Sequence, residues 1–173
     1  MKKIILTDKF KGHMVAHEKD FIKGYEILIK KFEKSPEFQK LDNNFCKISF
    51  EFEEEIGFLN VVKIEQDEKV IYAKRKGRDI FSKFVRKDCK RIKTNKVVFS
   101  LKKSNKNSNE YFLITMFPGE ACEKEPQDKS IKDSIELKKC LEYWENRAFI
   151  YDESIVDKST IQNEMPYLDL YKK

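Results

Sequence analysis

Tyr111-Phe112-Leu113-Ile114-Thr115-Met116-Phe117, followed at once by Pro118-Gly119, places one threonine in an otherwise apolar and aromatic run. A run of this length without polar alternation, ended by Pro-Gly, predicts a central strand covered on both faces. Just upstream, Lys96 to Lys102 reads as a second strand, and the Asn- and Ser-rich Ser104 to Asn109 between them as a polar hairpin loop. Ile48, Phe50 and Phe52 alternate with Lys47, Ser49, Glu51 and Glu53, which is a half-buried strand with one wet face. Phe58 to Ile64, Val70 to Lys74 and Met1 to Thr7 add shorter strands.

Helical spacing occurs at the two ends. Phe21, Tyr25, Leu28 and Phe32 recur along His17 to Lys34, and Ser35-Pro36 stops that helix because a residue before proline is pushed out of the helical region. Leu137, Cys140, Leu141 and Trp144 line one face of a second helix, Lys132 to Asn146. Asp79 to Lys87 reads as a short helix, or a loop packed through Ile80, Phe81 and Phe84. Strands that follow one another without interposed helices favour an antiparallel sheet. The expectation is therefore an α+β fold: an antiparallel sheet of four to five strands with an N-terminal helix and a C-terminal helix packed mainly on one side. Residues 1–150 read as a single domain and 151–173 as a weakly patterned tail.

The 173 residues are 40% hydrophobic and 13% aromatic, enough to fill one core. Charged residues reach 38%, and 36 Lys and Arg against 30 Asp and Glu leave a formal charge of +6. Net charge speaks to solubility, and to polyanion binding only where it clusters. It clusters between Lys74 and Lys96, where Lys74, Arg75, Lys76, Arg78, Lys83, Arg86, Lys87, Lys90, Arg91, Lys93 and Lys96 are opposed only by Asp79 and Asp88. Two readings stand side by side: a solvated rim, or a groove that holds nucleic-acid phosphates, with Tyr72, Phe81 and Phe84 either filling the core or offering a face on which a base would stack. Arg75, Gly77 and Arg78 follow a strand closely enough to embrace one phosphate from two sides.

Cys46, Cys89, Cys122 and Cys140 form no CxxC pair, and Cys46 and Cys140 sit in apolar patterns as buried thiols of a reducing compartment. The apolar run at the start ends at Leu6, too short for a signal peptide, and no stretch approaches a membrane span. The expected location is cytoplasmic, with no membrane partner. His13 and His17, the only histidines, are four residues apart; without a third ligand they point away from metal and toward acid–base chemistry or an ordinary surface role. Thr115 is either a strand former satisfied locally or a hydroxyl aimed into a cleft. Glu125-Pro126 with Asp128 reads either as pinning a loop across the basic groove by ion pairs or as carboxylates for acid–base work.

Several of these segments resemble a known family when taken together: Val70-Ile-Tyr-Ala-Lys-Arg-Lys-Gly-Arg78, Phe84-Val-Arg86, Tyr111 to Gly119, Glu125-Pro-Gln-Asp128 and Tyr143-Trp144. Across residues 70 to 147 they look like a widespread group of uncharacterised bacterial proteins and like the barnase–EndoU–colicin–RelE superfamily of small metal-independent RNases, many of them toxins. The resemblance implies N-terminal helices before a four-stranded antiparallel sheet, Thr115 as the late-strand hydroxyl, Arg75 and Arg78 as phosphate-binding residues, and His13 or His17 as acid/base. It implies a metal-independent endoribonuclease-like domain, toxin or phage-associated, using no metal and no cofactor. Lys74, Lys76, Arg86, Lys87, Arg91 and Tyr72 would bind RNA, with DNA as a second polyanion and a cognate inhibitor protein as a further partner. Two alternatives stay open: a non-catalytic nucleic-acid-binding or regulatory module, and a protein-interaction or immunity factor. Oligomeric state is not read from the sequence.

Overall fold

The computed structural model describes residues 1–86 and 92–172. In chain order its first elements are β1 (Lys3–Ile5), α1 (Asp8–Val15), α2 (Tyr25–Glu33), α3 (Pro36–Gln39), β2 (Phe45–Glu51), β3 (Gly57–Phe58), β4 (Val61–Lys63) and β5 (Val70–Lys74). There follow β6 (Phe81–Val85), β7 (Lys93–Thr94), β8 (Lys96–Lys103), β9 (Glu110–Pro118), α4 (Ser134–Glu145) and β10 (Arg147–Ile150). Contacts group them into two compact units. Unit 1 is Met1–Leu59 with Arg91–Ala121, and unit 2 is Asn60–Lys90 with Cys122–Lys173.

Unit 1 is built on a sheet ordered β1-β9-β8-β2, with β1 parallel to β9 and the other neighbours antiparallel. The apolar run read as a central strand is β9. Its buried Leu113 and Met116 share a core with Val97, Phe99 and Leu101 of β8. Phe10 and Met14 of α1, Leu28 and Phe32 of α2 and Phe38 of α3 close that core. Phe32 stacks on Phe99 with ring centroids 4.1 Å apart. Each such aromatic contributes about 1.5–3 kcal/mol by leaving water. Thr7 caps α1 by accepting from Phe10 N at 3.1 Å, and Ser35 caps α3 by accepting from Phe38 N at 3.2 Å.

The expected helix over 17–34 is divided. Only Tyr25–Glu33 is α-helical, Glu18–Asp20 is a 3-10 turn, and Phe21 is extended and bridges Gly57. Phe21 reaches the same core as Tyr25 and Phe32, so the helical spacing is real, but extended backbone delivers its first member. Gly57 permits the bridge. A Cβ there would lie 2.6 Å from Asp20 O and 2.7 Å from a Pro118 side-chain carbon, closer than such atoms approach.

Unit 2 carries a second sheet, ordered β4-β10-β6-β5, in which β5–β6 and β10–β4 are antiparallel and β6–β10 is parallel. The α+β class expected from the sequence is the class observed. The strands are distributed over two four-stranded sheets, each with one parallel pair, and a small antiparallel pair of β3 and β7 in unit 1, where one antiparallel sheet was expected. Phe81–Val85, expected as a helix or packed loop, is strand β6; it is covered on both faces, so its residues show no alternation to separate strand from helix. Gly77, at φ +78°, turns the chain from β5 into β6.

Ile71, Ala73, Phe84, Trp144, Phe149 and Val156 form one core of unit 2. Asp133 caps α4 by accepting from Glu136 N at 2.8 Å. Residues 151–172 belong to this unit. Gln162 exchanges backbone hydrogen bonds with Tyr72 at 2.8 and 2.9 Å, Asp157 N donates to Lys74 O, and Tyr167 is buried. The tail thereby occupies the outer edge of β5, which would otherwise be open to pairing with another chain. Among the described residues no helix is long and apolar enough to cross a membrane.

Candidate functional site

The site grows from a change of face in β9. Tyr111 and Leu113 point into the core, and strict alternation would send Thr115 after them. The pairing with β8 slips instead: Leu101 opposes Leu113 while Ser100 opposes Thr115, leaving Ile114 as an extra, exposed residue. This bulge hands the inward position to Met116 and leaves Thr115 half-buried. The hydroxyl that looked costly in an apolar strand is therefore not sealed in the core.

Across from it runs the end of α1. His13 lies in the last turn, and its Nε2 is 3.4 Å from Thr115 Oγ1. The chain then turns through Ala16, and the His17 ring comes to 4.7 Å from that of His13, tilted by 49°. His17 Nδ1 meets Asp20 Oδ2 at 3.1 Å across the 3-10 turn. The result is a row on unit 1: hydroxyl, imidazole, imidazole, carboxylate. Asp20 is buried and orients the His17 ring through Nδ1, which leaves Nε2 for other partners. Partial burial pushes the His13 pKa below its ordinary value, and the neighbouring His17 lowers it further.

Thr115, His13 and His17 were expected as site residues, and unit 1 brings the three together. Asp20 was missed, although His17-x-x-Asp20 is the spacing at which a single turn pairs two side chains. Among the described residues no group of three or more His, Cys, Asp or Glu is arranged to hold a metal ion.

Arg75 and Arg78 belong to unit 2, where they do embrace an anion, namely the chain's own Glu125. Arg75 Nε donates to Ser82 Oγ at 3.1 Å, its terminal nitrogen donates to Glu125 Oε2, and Ser82 Oγ donates to Glu125 Oε1. The guanidinium lies 4.7 Å from the centre of the Phe149 ring. Arg78, more exposed, stands 3.6 Å from the same carboxylate. Burial lowers the Arg75 pKa, and the Glu125 charge opposes that effect. Ser82 is the member of this knot that the sequence reading passed over.

Other members of the basic run are also engaged locally. Lys74 pairs with Asp79 at 2.8 Å, Lys76 donates to Ser154 O at 3.1 Å, and Arg86 lies 4.8 Å over the Tyr151 ring. Lys83 is buried and donates to Trp144 O at 3.0 Å and Glu145 O at 2.8 Å, placing its charge at the negative end of α4. Tyr72 is 4% exposed with its ring edge-on to Tyr167, so it presents no face on which a base could stack. Lys87 and Arg91 lie outside the described residues.

Comparison of the chain with protein-family models, with curated proteins and with solved structures finds no match.

Proposed function

We propose that the chain is a metal-independent, endoribonuclease-like domain whose acid–base centre is the row Thr115, His13, His17 and Asp20 on unit 1. The observation that carries this reading is the adjacency of two imidazoles in unlike surroundings, one beside a strand hydroxyl and one held by a carboxylate. Unlike surroundings divide acid from base in pairs of titratable groups. His13, with its lowered pKa, is neutral near pH 7 and takes the proton from a ribose 2′-hydroxyl as that oxygen attacks the adjacent phosphorus. His17, oriented by Asp20, gives a proton to the departing 5′-oxygen, leaving a 2′,3′-cyclic phosphate and a 5′-hydroxyl. Thr115 Oγ1 donates to a non-bridging phosphate oxygen.

Arg75 and Arg78 have no part in this scheme; their charge answers Glu125. The proposed setting is the cytoplasm, as a toxin-like or phage-associated RNase with a cognate inhibitor protein.

The test is labelled RNA incubated with purified protein in EDTA. Cleavage ending in cyclic phosphate is expected. His13→Ala and His17→Ala should each lower the rate about 10²–10⁴-fold, the usual contribution of a general acid or base. Asp20→Asn should lower it less, by about tenfold. RNA left intact by several-micromolar wild-type protein over hours would discard the nuclease. Salt-sensitive binding without cleavage would leave the nucleic-acid-binding module.

A further inference from the structure

Unit 2 carries a groove of about 1310 Å³ along the whole of α4, walled on the other side by the residues around Pro166 to Tyr171. We infer that this groove is a docking site for a basic amphipathic helix of a partner protein.

Size excludes the simplest alternative. Small-molecule pockets run to about 300–1,000 Å³ and bury most of their ligand. This one is larger and follows a 12-residue helix from Ser134 to Glu145. Spread over the roughly 18 Å length of such a helix, the volume gives a cross-section of about 70 Å², close to that of one further helix about 10 Å across. Three turns of helix fit.

The chemistry of the floor and rim selects the kind of helix. Leu137, Leu141, Tyr167 and Leu170 form an apolar floor, and Ile135, at 70% exposure, extends it to an open end. Tyr171 Oη reaches Leu141 O at 3.5 Å and ties the far wall to α4. Around this floor stand Asp128, Asp133, Glu142, Glu145 and Asp169, against Lys132 and Lys138. Five acidic and two basic groups leave the rim at −3 on a chain whose net charge is +6. Lys138 is drawn toward Glu142 and Lys172 toward Asp169, each at 3.9 Å, so both pairs are loose and solvent-exposed and leave the acidic excess of the rim in place. An apolar stripe flanked by Lys and Arg matches both surfaces, in the mode by which amphipathic helices lie in apolar grooves. Nucleic acid is disfavoured at this face, because its phosphates would meet carboxylates.

The test uses the whole chain and a fluorescein-labelled synthetic peptide of about three helical turns, with Leu at helical spacing and Lys elsewhere. A second peptide carries Glu in place of every Lys. The Lys peptide should bind saturably and at least about tenfold more tightly than the Glu peptide. Glu142→Lys with Glu145→Lys should weaken it by about tenfold or more, as should Ile135→Asp. All three side chains are exposed, so the fold should survive, as unchanged Trp144 fluorescence will show. Methyl NMR shifts confined to Ile131 and Ile135 would place the peptide in the groove. Three outcomes overturn the inference: equal binding of both peptides, binding that ignores the charge reversal, and no binding of either. A dimer seen by sedimentation and dissolved by Ile135→Asp would make the occupant a second copy of the chain and overturn it as well.

Discussion

Asp20 and Glu125 are both buried carboxylates that meet basic side chains, and their surroundings differ in one respect. Glu125 has both oxygens occupied, by Arg75 and Ser82, with Arg78 close by and Phe149 beneath the first guanidinium. Asp20 holds one nitrogen of His17, and from there the row continues to His13 and to the half-buried Thr115. A saturated cluster stabilises its unit. The row on unit 1 ends instead at the half-buried hydroxyl of Thr115. The density of positive charge in the sequence drew attention to the first cluster, whereas the second is marked by two histidines that a formal charge count leaves out.

The sharpest way to break this contrast is Glu125→Ala. It leaves Arg75, whose side chain is 20% exposed, without its counter-ion, and leaves Ser82 without its acceptor. Removing one member of a buried pair costs about 3–5 kcal/mol. Urea denaturation followed by the fluorescence of Trp144, the single tryptophan and a core residue of unit 2, should show a loss of that order. A loss below about 1 kcal/mol, the range of surface pairs, would mean that Arg75 is free to hold a phosphate after all.

The same comparison shows how far the residues alone can be read. The helical stretches Tyr25–Glu33 and Ser134–Glu145 and the hairpin of β8 and β9 follow from spacing, and the buried Cys46 and Cys140 from their apolar neighbours, whereas α1, which carries His13, was not foreseen. β6 and β10 were hidden, since Phe81–Val85 and Arg147–Ile150 are short and their middle residues are covered on both faces. Two parallel pairs were hidden too: β1 with β9 and β6 with β10 are long-range pairings that local pattern does not encode. At the site, His13, His17 and Thr115 could be named from residue type. Their meeting could not, because it depends on Ile114 bulging out of β9 and on the chain leaving the helix between Val15 and Glu18. Gly77 did announce its turn, but the anion that Arg75 and Arg78 embrace lies about fifty positions on and comes from the protein.

A smaller effect sharpens the contrast at the open cluster. His13 has its pKa lowered by burial first and by His17 second, so the fold prefers its neutral form. As pH falls through the ordinary histidine value of 6.5, the unfolded chain takes up a proton at this position before the folded one does. Stability is therefore full above that value and declines as pH drops toward the lowered folded midpoint. NMR titration of the His13 ring should give a midpoint below 6.5, and His17→Gln should raise it by removing one of the two causes. A midpoint at or above 6.5 in the wild type would remove the basis for His13 as the neutral base.

Thr115→Val is the mildest change and the one that separates a local role from a catalytic one. Valine keeps the β-branched shape that a strand prefers and deletes only the hydroxyl. Since Thr115 is half-buried behind a bulge and outside the core cluster, stability should move by no more than about 0.5 kcal/mol. If the hydroxyl holds a phosphate oxygen during cleavage, the rate should fall about tenfold, with the larger part in kcat, because the bond strengthens as charge builds on that oxygen. If the hydroxyl serves only as a partner for His13, cleavage should be unchanged while the His13 titration midpoint moves. The two readouts fall on different measurements, so one variant decides between a threonine that acts on substrate and one that merely seats an imidazole.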